Sequence, residues 1–151
     1  MKHRIVRLTK NRFNEAVEVV LRAELDTREE IEHHLKHLGA HLIALDKNKI
    51  IGVVGWYHDT VNWATEAMGN KFPGTDAYWL GFFVVEKKHR GKGIGFALLN
   101  KLESELKRKS TTKLWVTSVP ETTNYYKRQN FKYFMKAIIH GRPRDILVKD
   151  L

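Results

Sequence analysis

A glycine-rich run, Arg90-Gly91-Lys92-Gly93-Ile94-Gly95, joins an apolar segment to an amphipathic one. Residues 76–85 before the run are aromatic and β-branched, which predicts a central strand. After the run, apolar residues recur at helical spacing from Ala97 to Leu106. The chain is therefore expected to pass from a strand through a tight turn directly into a helix, as α/β folds do.

A glycine turn of this kind has chemistry of its own. The first N–H groups of the helix find no helical carbonyl, and with the helix dipole they can hold a phosphate. Glycine lets the phosphate approach the backbone, and four basic residues surround the turn: Lys87, Lys88, Arg90 and Lys92. The alternative is a plain turn with solvated lysines, but such a turn would not need three alternating glycines. The spacing fits neither the dinucleotide motif G-x-G-x-x-G nor a P-loop.

The rest of the chain alternates between strand and helix patterns. Strands are predicted at residues 3–8, 41–46, 49–58, 113–118, 131–139 and 145–148, and helices at residues 13–21, 27–39 and 121–128. The strands at 41–46 and 49–58 meet at Asp46-Lys47-Asn48 and are expected to form a hairpin. Thr27 opens a capping box, Gly39 is expected to end that helix, and Pro143 is expected in the last turn. Residues 59–75 are predicted as a loop with at most one helical turn. On the long helix, Glu103 and Glu105 are expected to pair with lysines on the exposed side. The order predicts one α/β (α+β) layered domain over residues 1–151, with a mixed sheet.

Composition narrows the possible functions. The 151 residues include no cysteine, which excludes disulfides, thiolate metal sites and a cysteine nucleophile. Residues 1–75 carry a net charge of +1 and residues 76–151 a net charge of +9, so the second half could meet nucleic acid, a phosphorylated cofactor or a membrane surface. A solubilising surface explains the same charge. No apolar run approaches the ~18 residues of a membrane span, and we expect a cytoplasmic protein with no membrane partner.

Two motifs in register carry a family resemblance. The run from Arg90 to Gly95 matches R-x-x-G-x-G, with Val85 five residues before it. Downstream, Tyr125-Tyr126-Lys127-Arg128-Gln129-Asn130-Phe131 is similar to F-Y-E-K-x-G-F. In these motifs and in its order of elements the chain resembles the GNAT superfamily of N-acetyltransferases. The resemblance implies a mostly antiparallel mixed central sheet flanked by helices, with splayed central strands, and acetyl-CoA (CoA) as co-substrate without a metal.

The resemblance also implies roles for individual residues. Main-chain groups of Phe83, Val84 and Val85 would pair with the pantetheine arm like an added strand. The pyrophosphate would be held by Arg90, Gly91, Lys92, Gly93, Ile94 and Gly95. Tyr126 would protonate the departing CoA thiolate, a task that suits a phenol with a reference pKa of about 10, although an amphipathic core tyrosine is the alternative. Where relatives have N-P-x-A this chain has Val119-Pro120-Glu121-Thr122, and Asn124 is the substitute for the missing asparagine contact.

Some features depart from the pattern or have two interpretations. Many relatives carry an acidic residue on the central strand near the positions of Gly81 and Phe82. Without it, the acceptor amine could lose its proton to His58 or Asp76 through a water, or to bulk solvent. The aromatic residues of this region could line an acceptor pocket or form ordinary core: Trp56, Tyr57, Trp63, Tyr78 and Trp79.

The resemblance favours an acetyl-CoA-dependent N-acetyltransferase in which a primary amine attacks the thioester directly. The acceptor would be a small-molecule or peptide amine, and a homodimer would be usual for such proteins. Two alternatives stay open: a basic nucleic-acid-binding module, which the strand-bound aromatics disfavour, and a CoA-binding relative without activity.

Overall fold

The computed structural model describes residues 3–58 and 62–151, without the side chains of Asn62 and Trp63. The elements are β1 (Arg4–Arg7), α1 (Phe13–Arg22), α2 (Arg28–Leu35), β2 (His41–Asp46), β3 (Lys49–His58), α3 (Asn62–Met68), β4 (Tyr78–Val85), α4 (Ile94–Arg108), β5 (Lys113–Ser118), α5 (Thr123–Arg128), β6 (Lys132–Ile139) and β7 (Arg142–Asp150). The strands pair in the order β1-β2-β3-β4-β5-β7-β6. The β4–β5 pair is parallel, while β1–β2, β2–β3, β5–β7 and β6–β7 are antiparallel. The predicted mixed, mostly antiparallel sheet is confirmed.

The chain forms two compact units. Unit 1 contains Met1–Trp56 and Gly81–Glu105, and unit 2 contains Tyr57–Leu80 and Leu106–Leu151. In unit 1, the apolar faces of α1 and α2 pack against β2, β3 and Val84 of β4. In unit 2, Trp79 and Trp115 lie at the centre of the core, with their ring centroids 5.7 Å apart. Trp79 is fully buried, so this aromatic residue is core and not pocket wall.

Local sequence signals place several elements correctly. The β2–β3 hairpin turns at Lys47 and Asn48, whose φ angles of 50° and 65° match the two-residue turn that hairpins favour. The Thr27 side chain accepts a hydrogen bond of 3.2 Å from the Glu30 N–H, as the capping box predicts. Asn130 adopts a φ of 72°, a left-handed conformation that asparagine tolerates.

The two central strands share a short parallel ladder. It joins Tyr78 to Leu114 and Trp79 to Trp115, at the start of β4. The six remaining residues of β4 take no part in the ladder recorded for this pair.

Three element predictions are wrong. Residues 62–68 form helix α3 instead of a loop, because Ala64 and Met68, one turn apart, are buried in the core of unit 2. Helix α2 ends at Leu35 and not at Gly39, since the chain tightens into a 3₁₀ turn at Leu38–Ala40. Pro143 lies inside β7 opposite Ile138, beyond the part of β7 that pairs with β5, where its missing N–H breaks no ladder to β5.

The acidic residues of α4 also differ from expectation. Glu103 and Glu105 are buried, with exposures of 6% and 7%, and do not lie on the exposed side of the helix. Arg7 reaches Glu105 with an N–O distance of 2.7 Å, so the carboxylate is compensated within unit 1. Within the described ranges no helix is long and apolar enough to span a membrane.

Candidate active site

The glycine-rich turn follows directly from β4 in unit 1. Val84 is buried against the α1 and α2 side of the sheet, and its neighbours Phe83 and Val85 are half-buried. The Glu86 N–H donates to the Ile51 carbonyl over 2.8 Å, which ties the end of β4 to β3. This attachment gives the turn a fixed starting point.

Two glycines give the turn its shape. Gly91 and Gly93 have φ angles of 77° and 81°, a region that L side chains rarely adopt. An added Cβ at either position would meet no protein atom within 4 Å. Backbone conformation therefore requires glycine here, and the space beside the turn is open to a ligand.

Arg90 organises the turn through its side chain. Its Nε donates a hydrogen bond of 3.0 Å to the carbonyl of Val85, across the turn. The Val85 carbonyl is therefore engaged within the protein, while the two terminal guanidinium nitrogens of the exposed Arg90 side chain can still meet an anion. The sequence prediction assigned the main chain of Val85 to the pantetheine arm without separating its N–H from its carbonyl. Because Arg90 already binds the carbonyl, only the Val85 N–H is left for that role.

Helix α4 begins at the turn, and its first N–H groups have no acceptor within the helix. The Ala97 N–H donates a hydrogen bond of 3.0 Å to the Gly93 carbonyl, which is the i to i−4 bond of the first helical turn. The N–H groups of Ile94, Gly95 and Phe96 precede it in the first turn, where an α-helix supplies no acceptor. Together with the positive end of the helix dipole, these donors form a cradle that fits a phosphate or pyrophosphate.

The helix start is held on β3 by a close approach. A Cβ added to Gly52 would lie 2.9 Å from Cδ1 of Leu98 and 3.1 Å from the carbonyl oxygen of Val84. Ile94, at 1% exposure, packs on the same glycine. Gly52 therefore lets α4 sit directly on the sheet beneath the cradle.

The predicted acid Tyr126 lies on α5 in unit 2, two residues after the exposed Asn124. Its ring contacts Tyr125 and Phe131, both with centroid distances of 5.5 Å. Burial raises the pKa of Tyr126 far above its usual value, and the neighbouring Tyr125 adds to the increase. The phenol therefore stays protonated at neutral pH and can act as a proton donor.

A polar network fixes the start of α5. Thr123 donates a hydrogen bond of 2.6 Å to Oδ2 of the buried Asp145 in β7, and the hydroxyls of Ser118 and Thr122 lie 2.8 Å apart. The prediction from N-P-x-A contained no such network. Thr123 and Asp145 are 22 residues apart in the sequence, so no local sequence pattern could have revealed the network.

The predicted proton acceptors have ordinary surroundings. In unit 2, His58 packs its ring against Tyr78 at 4.5 Å, and Asp76 is exposed. In unit 1, the His34 ring lies edge-on to the ring of Phe82, with the centroids 5.5 Å apart. Burial lowers the pKa of His34, so its imidazole is neutral and able to accept a proton. No sequence pattern points to His34, because its contact with Phe82 of β4 depends on tertiary packing.

No metal site accompanies these residues. In the part of the chain that the structure describes, no group of three or more His, Asp or Glu side chains could hold a metal ion. His33 and His37 are four residues apart, a spacing that can bind a metal, but in the structure their rings make an edge contact with centroids 6.3 Å apart and an angle of 86° between the ring planes.

The comparisons with known proteins agree with this geometry. The model of the acetyltransferase (GNAT) family matches residues 5–131. The comparison with curated proteins finds no matching sequence. The fold is similar to that of PH1933 from Pyrococcus horikoshii OT3, with 23% identity, 99% of each chain covered and a TM-score of 0.75.

Two further solved structures are similar in fold. One is the NatC complex bound to Gag peptide and CoA, with 17% identity, a TM-score of 0.78, and coverage of 100% of this chain and 99% of that one. The other is the PaiA N-acetyltransferase from Thermoplasma acidophilum in complex with coenzyme A, with 15% identity, a TM-score of 0.69 and 100% of each chain covered.

The strand–turn–helix unit of β4 and α4 has the backbone features of an anion-binding site, and it lies in a seven-stranded sheet of the order given above. The chain belongs to the GNAT acetyltransferase family, as the match over residues 5–131 shows. Acetyl-CoA is the co-substrate of this family, and the open cradle at Gly91 and Gly93 fits its pyrophosphate.

Proposed function

We propose that this protein is an N-acetyltransferase, one acetyltransferase-like domain over residues 1–151 that transfers an acetyl group from acetyl-CoA to a primary amine. The observation that carries the proposal is the turn between β4 and α4, with two left-handed glycines, open space beside them and unsatisfied helix N–H groups. We expect a cytoplasmic enzyme that acts without a metal.

The binding roles follow the two motifs. Main-chain groups of Phe83, Val84 and Val85 pair with the pantetheine arm, apart from the Val85 carbonyl that Arg90 already engages. The pyrophosphate lies on the turn, where its partners are Arg90, Gly91, Lys92, Gly93, Ile94 and Gly95. Asn124 adds a side-chain contact from α5.

Acetyl-CoA supplies an acetyl group activated as a thioester. Transfer forms a C–N bond and breaks the C–S bond, and main-chain N–H donors polarise the carbonyl. The amine proton goes to solvent or to a base such as His58 or Asp76. Tyr126 gives a proton to the departing thiolate and regains one from solvent, a role supported by its place in the second motif and by a phenol that stays protonated at neutral pH. No covalent enzyme intermediate is needed, in keeping with a chain that has no cysteine.

The acceptor is a small-molecule or peptide amine. The fold is shared with a complex whose structure contains a peptide and with an N-acetyltransferase solved with coenzyme A, and both acceptor classes suit a direct transfer. Assembly as a homodimer is compatible with this role.

The test is a thiol-release assay with acetyl-CoA and a panel of primary amines and peptides. With the best acceptor, Tyr126→Phe should lower kcat about a hundredfold to ten-thousandfold, because it removes the acid but keeps the ring. Tyr133→Phe is the matched control, since it removes the same hydroxyl from an exposed tyrosine of β6 to which no catalytic or binding role is assigned. Equal rates in the two variants would contradict the role of Tyr126, and thiol release with none of the amines would contradict the activity.

A further inference from the structure

A cavity lies beside the glycine turn, on the side of the β2–β3 hairpin in unit 1. Its volume is about 370 Å³, and its lining residues are Asp46, Lys47, Lys49, Ile51, Lys88, His89 and Lys92. An adjoining cavity of about 240 Å³ shares Lys49, Ile51, Lys88 and His89 with it. We call the larger one the hairpin cavity.

The hairpin cavity concentrates positive charge. Lys47 and Lys49 come from the hairpin, and Lys88 and Lys92 come from the turn, against the single carboxylate of Asp46. Among the residues that the structure describes, none of these four lysines makes an ion pair within 4 Å. Four cations that repel one another around one opening are a favourable site for an anion.

Two carboxylates beside the hairpin and the turn, those of Glu15 and Glu86, are already paired with arginines. Arg22 donates to Glu86, with an Nε–Oε1 distance of 3.1 Å. Arg12 Nη1 lies 2.9 Å from Oε1 of Glu15, and Oε2 of Glu15 accepts a hydrogen bond of 2.8 Å from the Ile50 N–H. These two acids therefore do not compensate the lysines, which leaves Asp46 alone against four positive charges, and an external anion could balance the rest.

His89 provides a second, independent observation. Its Nδ1 atom is buried and has no hydrogen-bond partner within the described residues. A buried polar nitrogen without a partner is costly, and native proteins satisfy nearly all such groups. Nδ1 does not open onto the cavity as the ring stands, but a turn of the His89 ring, which lines the cavity, would let an N–H at Nδ1 donate to a phosphate oxygen.

The hairpin that carries two of the lysines is held in place. Arg12 donates to the carbonyl of Asn48 over 3.1 Å and also contacts the Asn48 side chain. The turn residues Lys47 and Asn48 are fixed in left-handed conformations. The lysines therefore stand on a preorganised backbone, which reduces the entropy lost on binding.

We propose that the hairpin cavity binds a phosphate group, in addition to the pyrophosphate expected on the turn. The phosphate has two possible sources, the 3′-phosphate of the acetyl-CoA bound at the neighbouring turn or a separate phosphorylated molecule. The first source rests on the proposed function, while the second does not.

Isothermal titration of three proteins tests the proposal. Lys47→Asn/Lys49→Gln removes two cavity charges, and asparagine tolerates the left-handed position. The matched control, Lys36→Gln/Lys101→Gln, removes the same charge from exposed sites elsewhere in unit 1. Each protein is titrated with acetyl-CoA, with 3′-dephospho-acetyl-CoA, and with inorganic phosphate after saturation with the dephospho form, at constant ionic strength.

If the 3′-phosphate is the ligand, wild type and control bind acetyl-CoA about tenfold or more tightly than the dephospho form, and the cavity variant loses that preference. If a separate phosphate is the ligand, inorganic phosphate binds to the saturated wild type and control but not to the cavity variant. Equal affinity for both forms of acetyl-CoA in wild type, together with no phosphate binding that depends on Lys47 and Lys49, would overturn the proposal.

The titrations with different ligands distinguish failure of this proposal from failure of the proposed function. Failure of the dephospho form to bind wild type would contradict the acetyl-CoA site alone. Inorganic phosphate is then titrated into Gly93→Asp protein, in which the turn is blocked, with and without the cavity substitutions. Phosphate binding that the cavity substitutions abolish would support the hairpin cavity, and its absence would refute it.

Discussion

The buried His41 makes unfolding stability depend on pH in a way that can be measured. At 3% exposure, its Nδ1 lies 2.9 Å from the carbonyl oxygen of His37, so Nδ1 carries the proton and donates. The ring lies over Gly55, where an added Cβ would come within 2.5 Å of Nε2. Nε2 therefore faces the backbone of the neighbouring strand, where a proton would be poorly solvated.

Burial lowers the pKa of His41 from 6.5 to about 4; the hydrogen bond to the His37 carbonyl opposes this shift, and the charges of His34 and His37 add slightly to it. Between these two values the unfolded chain binds a proton that the folded chain does not. The stability from the neutral imidazole is therefore present in full above pH 6.5 and is lost as the pH falls toward 4. At about 1.4 kcal/mol per pKa unit, the loss is about 3 kcal/mol.

The assay is urea unfolding of wild type and His41→Asn at about pH 7.5 and about pH 4. Asparagine keeps an amide N–H for the His37 carbonyl and does not titrate. Wild type should lose about 3 kcal/mol more than the variant over this range, while the other titrating groups contribute to both proteins. An equal loss in the two proteins would refute the assignment of a depressed pKa to His41.

Two further predictions concern the supports of the site. Gly52→Ala should lower the free energy of unfolding by about 1–3 kcal/mol in urea titration, because its Cβ would lie 2.9 Å from Leu98; an unchanged midpoint would show that α4 does not sit closely on β3. Thr123→Val should cost about 1.5–3 kcal/mol in the same measurement, since the buried carboxylate of Asp145 loses its 2.6 Å hydrogen bond. Recovery of that stability by adding Asp145→Asn would be expected, and its failure would argue against the network.

The sequence predicts well the parts of the fold that local chemistry determines. The hairpin at Lys47 and Asn48 needs only two residues that tolerate positive φ between alternating segments. The turn at Gly91 and Gly93 is likewise a local backbone requirement. These elements were predicted because their energies depend on near neighbours in the chain.

The missed features depend on contacts that are distant in sequence. Helix α3 is stabilised by burial of Ala64 and Met68 in the core of unit 2, which the sequence does not show. The segment itself is too short to be a stable helix alone, and the helix-breaking residues Gly69, Pro73 and Gly74 follow it. Glu105 is buried because Arg7, 98 residues away, reaches it. The hairpin cavity likewise combines two segments some 40 residues apart, each of which alone resembles an ordinary lysine-rich surface.

The most direct test of the central claim is calorimetric titration with acetyl-CoA of wild type, Gly93→Asp and Gly141→Asp. Gly93 and Gly141 have φ angles of 81° and 75° and open space around them, so the same substitution strains both backbones alike. Only the first puts a side chain and a negative charge in the cradle. We predict binding by wild type and Gly141→Asp and none by Gly93→Asp, with the fold of all three verified by circular dichroism. No binding by folded wild type, or equal binding by the two variants, would contradict the account.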